Sequence, residues 1–264
     1  MVNPTRGVLY PARLPQFHRL PAPSAVTDLV AWFWIPEWDI APGRSSQQEI
    51  VAYPALNLVV DAEAVTLSGA TTRASHRNLR GSGWAVGALL RPAAVAALIE
   101  DPSSLVDGER VLDHEAGDVT ALRDAVVSAM GSDERHRERA VEAFSRWLEE
   151  RASPVGDPAR QANAAMDVLM GDDPAFTPEE AATRLAVSVR TLQRMTHRYV
   201  GLSPAAMIRR RRLQEAAQRV REEPGADLAS IAAELGYADH AHLTRDFQTV
   251  LGIAPRAYRS EASG

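Results

Sequence analysis

The sequence predicts an α+β protein: a β-rich N-terminal domain with helices at its C-terminal end, then an all-α domain of two similar helix–turn–helix units. Three observations predict it. Before Pro92 the apolar residues come in short runs rich in Val, Leu and aromatics, separated by turn residues. After Pro92 they recur at helical spacing. The pattern of residues 177–204 also returns, loosely, in residues 227–255.

Residues 1–28 are proline-rich and predict irregular chain. Strands are predicted at Leu29–Ile35, Glu49–Tyr53, Leu56–Val60, Ala64–Ser68 and Trp84–Leu90, with Pro42, Gly43, Pro54, Gly69 and Gly81 among the turn residues. Five short strands so punctuated suggest a small barrel or sandwich. Ala93–Ile99 predicts a short helix. Asp118–Met130 and Glu134–Arg151 follow at helical spacing, the latter with Ala140, Val141, Phe144, Trp147 and Leu148 on one face. Ser, Pro and Gly at 153–158 mark a linker. The predicted division is a β-rich domain at 1–115, a helical connector and candidate dimerisation seam at 116–152, the linker 153–158, and a helical domain at 159–260.

Composition narrows the function. Of 264 residues none is cysteine, which excludes disulfides, thiolate metal sites and cysteine nucleophiles and suits a reducing cytoplasm. All 29 basic residues are arginine, as a GC-rich genome would give. No apolar run reaches the ~18 residues of a membrane span, and the first residues lack the apolar core of a signal peptide. The net charge is −5, yet Arg184 to Arg221 holds ten arginines and one acid, Glu215. Local field rather than total charge attracts a polyanion, so this stretch implies a nucleic-acid contact. His18, His76 and His114 lack ligand spacing, and no carboxylate pair stands out for acid–base chemistry, so no catalytic residue, metal or cofactor is expected.

The helical domain begins with Thr177, Pro178 and Glu180, a capping box with proline at the first helical position. Ala181, Ala182 and Leu185 face a core, Ala186 and Val187 turn the chain, and Ser188 caps the next helix. In Val189–Tyr199, Leu192, Met195 and Tyr199 point inward. Arg190, Gln193, Arg194 and His197 then share the opposite face at i, i+3, i+4 and i+7. Arg can pair bidentately with guanine and Gln with adenine. Gly201 closes this helix and Ser203-Pro204 starts a longer one carrying Arg209 to Arg212. Four successive residues span a full turn, so these arginines cannot all reach one phosphate row. In the second unit Ile231, Ala232 and Leu235 face inward, Gly236 turns the chain and Asp239 caps the next helix. Leu243 and Phe247 are buried there, and His240, His242 and Arg245 lie toward solvent.

On these residues the C-terminal region resembles the DNA-binding domain of the AraC/XylS family of transcription regulators. The match runs through Ser188, Arg190, Leu192, Gln193, Arg194, Gly201, Ser203, Pro204, Arg212, Leu213 and Ala216. It continues through Ile231, Ala232, Gly236, Tyr237, Asp239, Arg245, Phe247, Gly252, Pro255 and Tyr258. The resemblance implies two recognition helices in successive major-groove segments of double-stranded DNA. By position, Arg190, Gln193, Arg194, His240, His242 and Arg245 would read bases. Ser188, His197, Arg198, Arg211 and Asp239 would position the helices on phosphates. Thr196 departs from the usual Phe and leaves a smaller polar group at a core position. The second unit is net acidic, so it should add less phosphate affinity.

The N-terminal part, through Trp32, Trp34, Tyr53, Pro54, Asn57, Gly87, Arg91 and Pro92, is similar to the poorly characterised β-rich domain fused to such modules. That implies a cupin-like sensor or dimerisation domain. Trp32, Trp34 and Trp84 would be core aromatics or would line an effector pocket. The expected partners are DNA, a small-molecule effector, RNA polymerase and a second copy of the chain, with no membrane. The alternative is a metal-dependent cupin-type enzyme fused to a DNA-binding module.

Overall fold

The computed structural model describes residues 16–50, 52–112, 119–131, 134–152, 154–171, 173–223 and 225–262. The irregular chain expected over residues 1–15, and His114, Val51 and Ser153, lie outside the described residues. Eight strands are described: β1 (Gln16–Pro21), β2 (Val30–Asp39), β3 (Ser46–Ile50), β4 (Asn57–Asp61), β5 (Val65–Ser68), β6 (Ser75–Leu79), β7 (Ser82–Leu90) and β8 (Glu109–Val111). Six form one antiparallel sheet in the order β1-β2-β7-β4-β5-β8, and β3 pairs with β6 in a separate ribbon. Ten helices follow among the described residues: α1 (Pro92–Leu98), α2 (Val119–Met130), α3 (His136–Ala152), α4 (Asp157–Met170), α5 (Pro178–Arg184), α6 (Val189–Val200), α7 (Pro204–Glu222), α8 (Leu228–Glu234), α9 (His240–Leu251) and α10 (Pro255–Ala262).

Alternation along the strands decides which face does what. Phe33 and Ile35 of β2, Leu58 and Val60 of β4, and Val86, Ala88 and Leu90 of β7 are buried on one face. The layer that covers them is helical, not a second sheet: Val119, Leu122 and Val126 of α2 and Ala140, Val141, Phe144 and Leu148 of α3 complete that core. This corrects the expected sandwich or barrel. Helices α2 and α3, which make up most of the described part of the expected connector at 116–152, bury their apolar stripes against this sheet. Each of the larger side chains, the Val, Leu and Phe, contributes about 1.5–3 kcal/mol of burial, enough to make the helices part of this domain.

The opposite face carries Trp32 and Trp34. Trp34 donates from Nε1 to Asn57 Oδ1 at 3.0 Å and lies across Gly87, its cross-strand partner. A Cβ at Gly87 would overlap the Trp34 indole. We expect Gly87→Ala to cost about 1–3 kcal/mol, read as a lower urea midpoint with unchanged slope. A midpoint within error of the parent would show that the indole has room to move.

The first helix–turn–helix unit does not have a private core. Ala162, Ala165, Leu169 and Met170 of α4, Leu192, Tyr199 and Val200 of α6, and Met207 and Ile208 of α7 pack in one cluster with Ala55, Ala70 and Leu89 of the N-terminal domain. Asn163, 3% exposed, pins the seam: it accepts from the Ala93 N–H at 3.1 Å and donates to the Asp28 carbonyl at 2.8 Å. The second unit keeps a separate core of Leu213, Val220, Ile231, Leu243, Phe247 and Tyr258.

Candidate nucleic-acid interface

Local capping builds the first reading helix. The Thr177 hydroxyl accepts from the Glu180 N–H at 3.1 Å, and the Glu180 carboxylate returns to the Phe176 N–H at 2.8 Å. That backbone bond is the leading reason the Glu180 carboxyl sits below its usual pKa. Ala186 turns the chain with φ +53, the left-handed region that favours glycine. Ser188 accepts from the Thr191 N–H at 3.1 Å and starts α6. Gly201 ends it at φ +82, donating to the His197 and Thr196 carbonyls. Gly236 holds the turn of the second unit at φ +72, where the first has Ala186. Ala186→Gly should therefore stabilise the chain by about 0.5–1 kcal/mol in urea unfolding. A destabilised variant would mean that the alanine methyl contributes packing which outweighs its strain.

The face of α6 is divided as its period requires. Leu192, Thr196, Tyr199 and Val200 are buried; Arg190, Gln193, Arg194, His197 and Arg198 are exposed. Among the described residues no ion pair or hydrogen bond ties the Arg190 or Arg194 side chain. Arg198 lies 5.5 Å from the Tyr199 ring centroid. Thr196 is 4% exposed and donates its hydroxyl to the Gln193 carbonyl at 3.2 Å, so the polar group at the core position is satisfied within its own helix. A residual cavity of about 10 Å³ remains beside Thr196, Met195 and Tyr199.

In the second unit, Asp239 caps α9 by accepting from the His242 N–H at 2.7 Å, and this bond holds its carboxyl below the usual range. His240 and Arg245 are exposed. His242 is half-buried and meets the Tyr237 ring edge-on at 5.3 Å. His240 also lines a cleft of about 780 Å³ with Thr244, Arg256 and Arg259. The two arginines there were not singled out in the sequence.

The four-arginine run is used inside the protein. Arg209 holds the buried Asp246 with two bonds, at 3.0 and 2.7 Å. Arg211 is 1% exposed, donates to the Ala175 carbonyl at 3.1 Å and pairs with Glu215 at 3.4 Å. That burial removes Arg211 from the phosphate-positioning set. Arg212 donates to the Phe176 carbonyl and, at 3.1 Å, to the Gly236 carbonyl, so it ties the two units together. Arg210 leaves the domain and enters the N-terminal one.

The three tryptophans do not line one pocket. Trp32 lies at the seam with the first unit, edge-on to Tyr53 at 5.1 Å and under the Arg19 guanidinium at 4.8 Å. Trp34 shares that face, whereas Trp84, opposite Glu37 in the register, faces the α2–α3 side. Trp84 alone of the three borders a cleft of about 910 Å³ with Glu37, Trp38, Asp61, Arg80 and His136. Among the described residues no group of three or more His, Cys, Asp or Glu could hold a metal ion, and no helix is long and apolar enough to cross a membrane.

Comparison with known proteins places this geometry. Residues 181–261 match a family described as a helix-turn-helix domain, and residues 18–111 match a domain of unknown function (DUF6597). An AraC-like transcription regulator of Streptomyces antibioticus is 34% identical over 156 residues, 58% of this chain and 49% of that protein. A second, from Streptomyces lividans, is 37% identical over 126 residues, 47% of this chain and 39% of that protein. The HTH-type transcriptional activator RhaS of Pectobacterium carotovorum is 30% identical over 81 residues, 31% of this chain and 29% of that protein. The chain thus spans about half or less of the length of these relatives. Among solved structures, ToxT from Vibrio cholerae O395 is a distant likeness, with TM-score 0.40 and 13% identity over 94% of this chain and 97% of that one.

Proposed function

The C-terminal region being a helix-turn-helix domain of the AraC type, we propose that the whole chain is a sequence-specific, DNA-binding transcription regulator of the cytoplasm. The observation that carries this reading is the outer face of α6. Arg190, Gln193, Arg194 and His197 are exposed together on one rigid, doubly capped helix, with both Arg190 and Arg194 unengaged among the described residues. Those three donors Arg190, Gln193 and Arg194 read base edges, and His197, Arg198 and the capped start at Ser188 set the helix on the backbone. On α9, His240, His242 and Arg245 do the reading and Asp239 fixes the helix start. The DNA-binding part runs from α4 to α10; the sheet with α1 to α3 is the sensing part. The cleft beside Trp84 is where a small-molecule effector would enter.

The test is retention of fragmented genomic DNA by the full chain against excess heparin at a stated, near-physiological salt. The reading expects a small subset of fragments to survive. Uniform loss of all fragments would reduce the chain to a non-specific polyanion binder.

A further inference from the structure

We infer that Arg210 is a positioning residue for DNA reading. By seating α7 on the N-terminal domain, it fixes how α6 and α9 stand relative to each other, and so which spacing of two DNA boxes the protein prefers. The inference rests on the reading of DNA by both helices proposed above.

Helix α7 joins the two units. Arg209, Arg211 and Arg212 stay within the helical domain, but Arg210 crosses out of it. Its Nε donates to the Ala52 carbonyl at 3.1 Å, and its Nη2 to Thr71 Oγ1 at 2.8 Å and the Arg73 carbonyl at 3.0 Å. The side chain is 4% exposed, and its Nη1 has no partner. Burial pulls the guanidinium down to about 10, which still leaves it charged at neutral pH. A buried cation met by neutral acceptors is a directional latch: it is satisfied only in one orientation of α7 on that loop.

The receiving loop is itself held in shape. Asp107, at φ +59, accepts from the Thr72 N–H at 2.6 Å and the Thr72 hydroxyl at 2.5 Å, and donates its own N–H to the Ala70 carbonyl at 3.0 Å. The same loop then reaches the second unit: the Ala74 N–H donates to the Val250 carbonyl of α9 at 2.9 Å. The N-terminal domain touches the far end of α6 as well, where a Cβ on Gly201 would sit 2.8 Å from the Ser103 Cα. The N-terminal domain thus meets the C-terminal ends of α6 and α9 and the middle of α7, away from Arg190 and Arg194, which stay exposed. It orients the readers without covering them.

Two linked binding modules favour the target whose spacing matches their geometry, and a stiffer link makes that preference sharper. On DNA of about 10–10.5 bp per turn, moving one box by 2 bp rotates it by roughly 70°. The experiment uses the full chain and a duplex carrying the two boxes returned by site selection, with spacers lengthened or shortened by about 2 bp, beside a single-box duplex. The parent should lose about tenfold or more in affinity at the wrong spacing. Arg210→Met, which keeps the bulk and removes the latch, should lose less than about threefold there, with single-box affinity unchanged. Thr71→Val, which removes the Oγ1 acceptor of Arg210 and leaves α7 itself unchanged, should loosen the preference in the same direction and decides the matter if Arg210→Met does not fold. Variants as selective for spacing as the parent would overturn the role of Arg210 while leaving two-helix reading intact. A parent indifferent to spacing would overturn two-helix reading, and the inference with it.

Discussion

Arg194→Ala weakens binding to the preferred DNA site by about 1–3 kcal/mol, a loss of roughly 5- to 150-fold, and relaxes the preference at one base pair. The expectation follows from where the guanidinium stands. It is exposed on the outer face of α6, one turn beyond Arg190, and nothing among the described residues competes for it. A fork of N–H donors on a helix in the major groove matches the guanine edge. The measurement is a titration of preferred and scrambled duplexes at two salt concentrations. A base reader leaves the salt slope nearly unchanged and loses affinity on the preferred duplex alone. Equal losses on both duplexes with a shallower salt slope would reassign Arg194 to a phosphate.

Phe144→Ala costs about 3–5 kcal/mol of folding stability, a large share of the ~5–15 kcal/mol a domain holds. Phe144 is 0% exposed and meets Phe33 of β2 edge-on, with centroids 5.5 Å apart. It therefore stands where α3 closes on the sheet, and its loss leaves a cavity that the surrounding strands and helices fill only partly. Urea unfolding should show a lower midpoint with an unchanged slope and no dependence on protein concentration. A midpoint that rises with concentration would place Phe144 at a seam between two copies instead.

Helices with strong caps were legible in the sequence because their signals are local. Thr177, Ser188, Ser203 and Asp239 each cap the helix that begins beside them. Strands were less legible. β1, β6 and β8 lack a marked apolar alternation, and β6 is mostly exposed; only pairing with a distant partner makes them strands. The predicted strand ends at Ile35, yet β2 runs on through Pro36 to Asp39 and resumes its register with β7 at Glu37. The outer face of α6 could be read because a single helix carries it whole. The arginine run on α7 could be read only in part. Its spacing shows that four side chains point four ways, but not that Arg210 and Arg211 point into protein. That depends on carbonyls at Ala52, Arg73 and Ala175, which lie far off in the chain. Trp84 is a similar case, since the helices packed against the sheet decide its surroundings.

The most direct test of the central claim is selection of bound sites from a random double-stranded DNA pool by the full chain, at a stated near-physiological salt. Reading by α6 and α9 predicts an enriched motif of two short boxes about one helical turn apart, with the α6 box the stronger. A pool that stays unenriched, with binding that vanishes as salt rises, would contradict it.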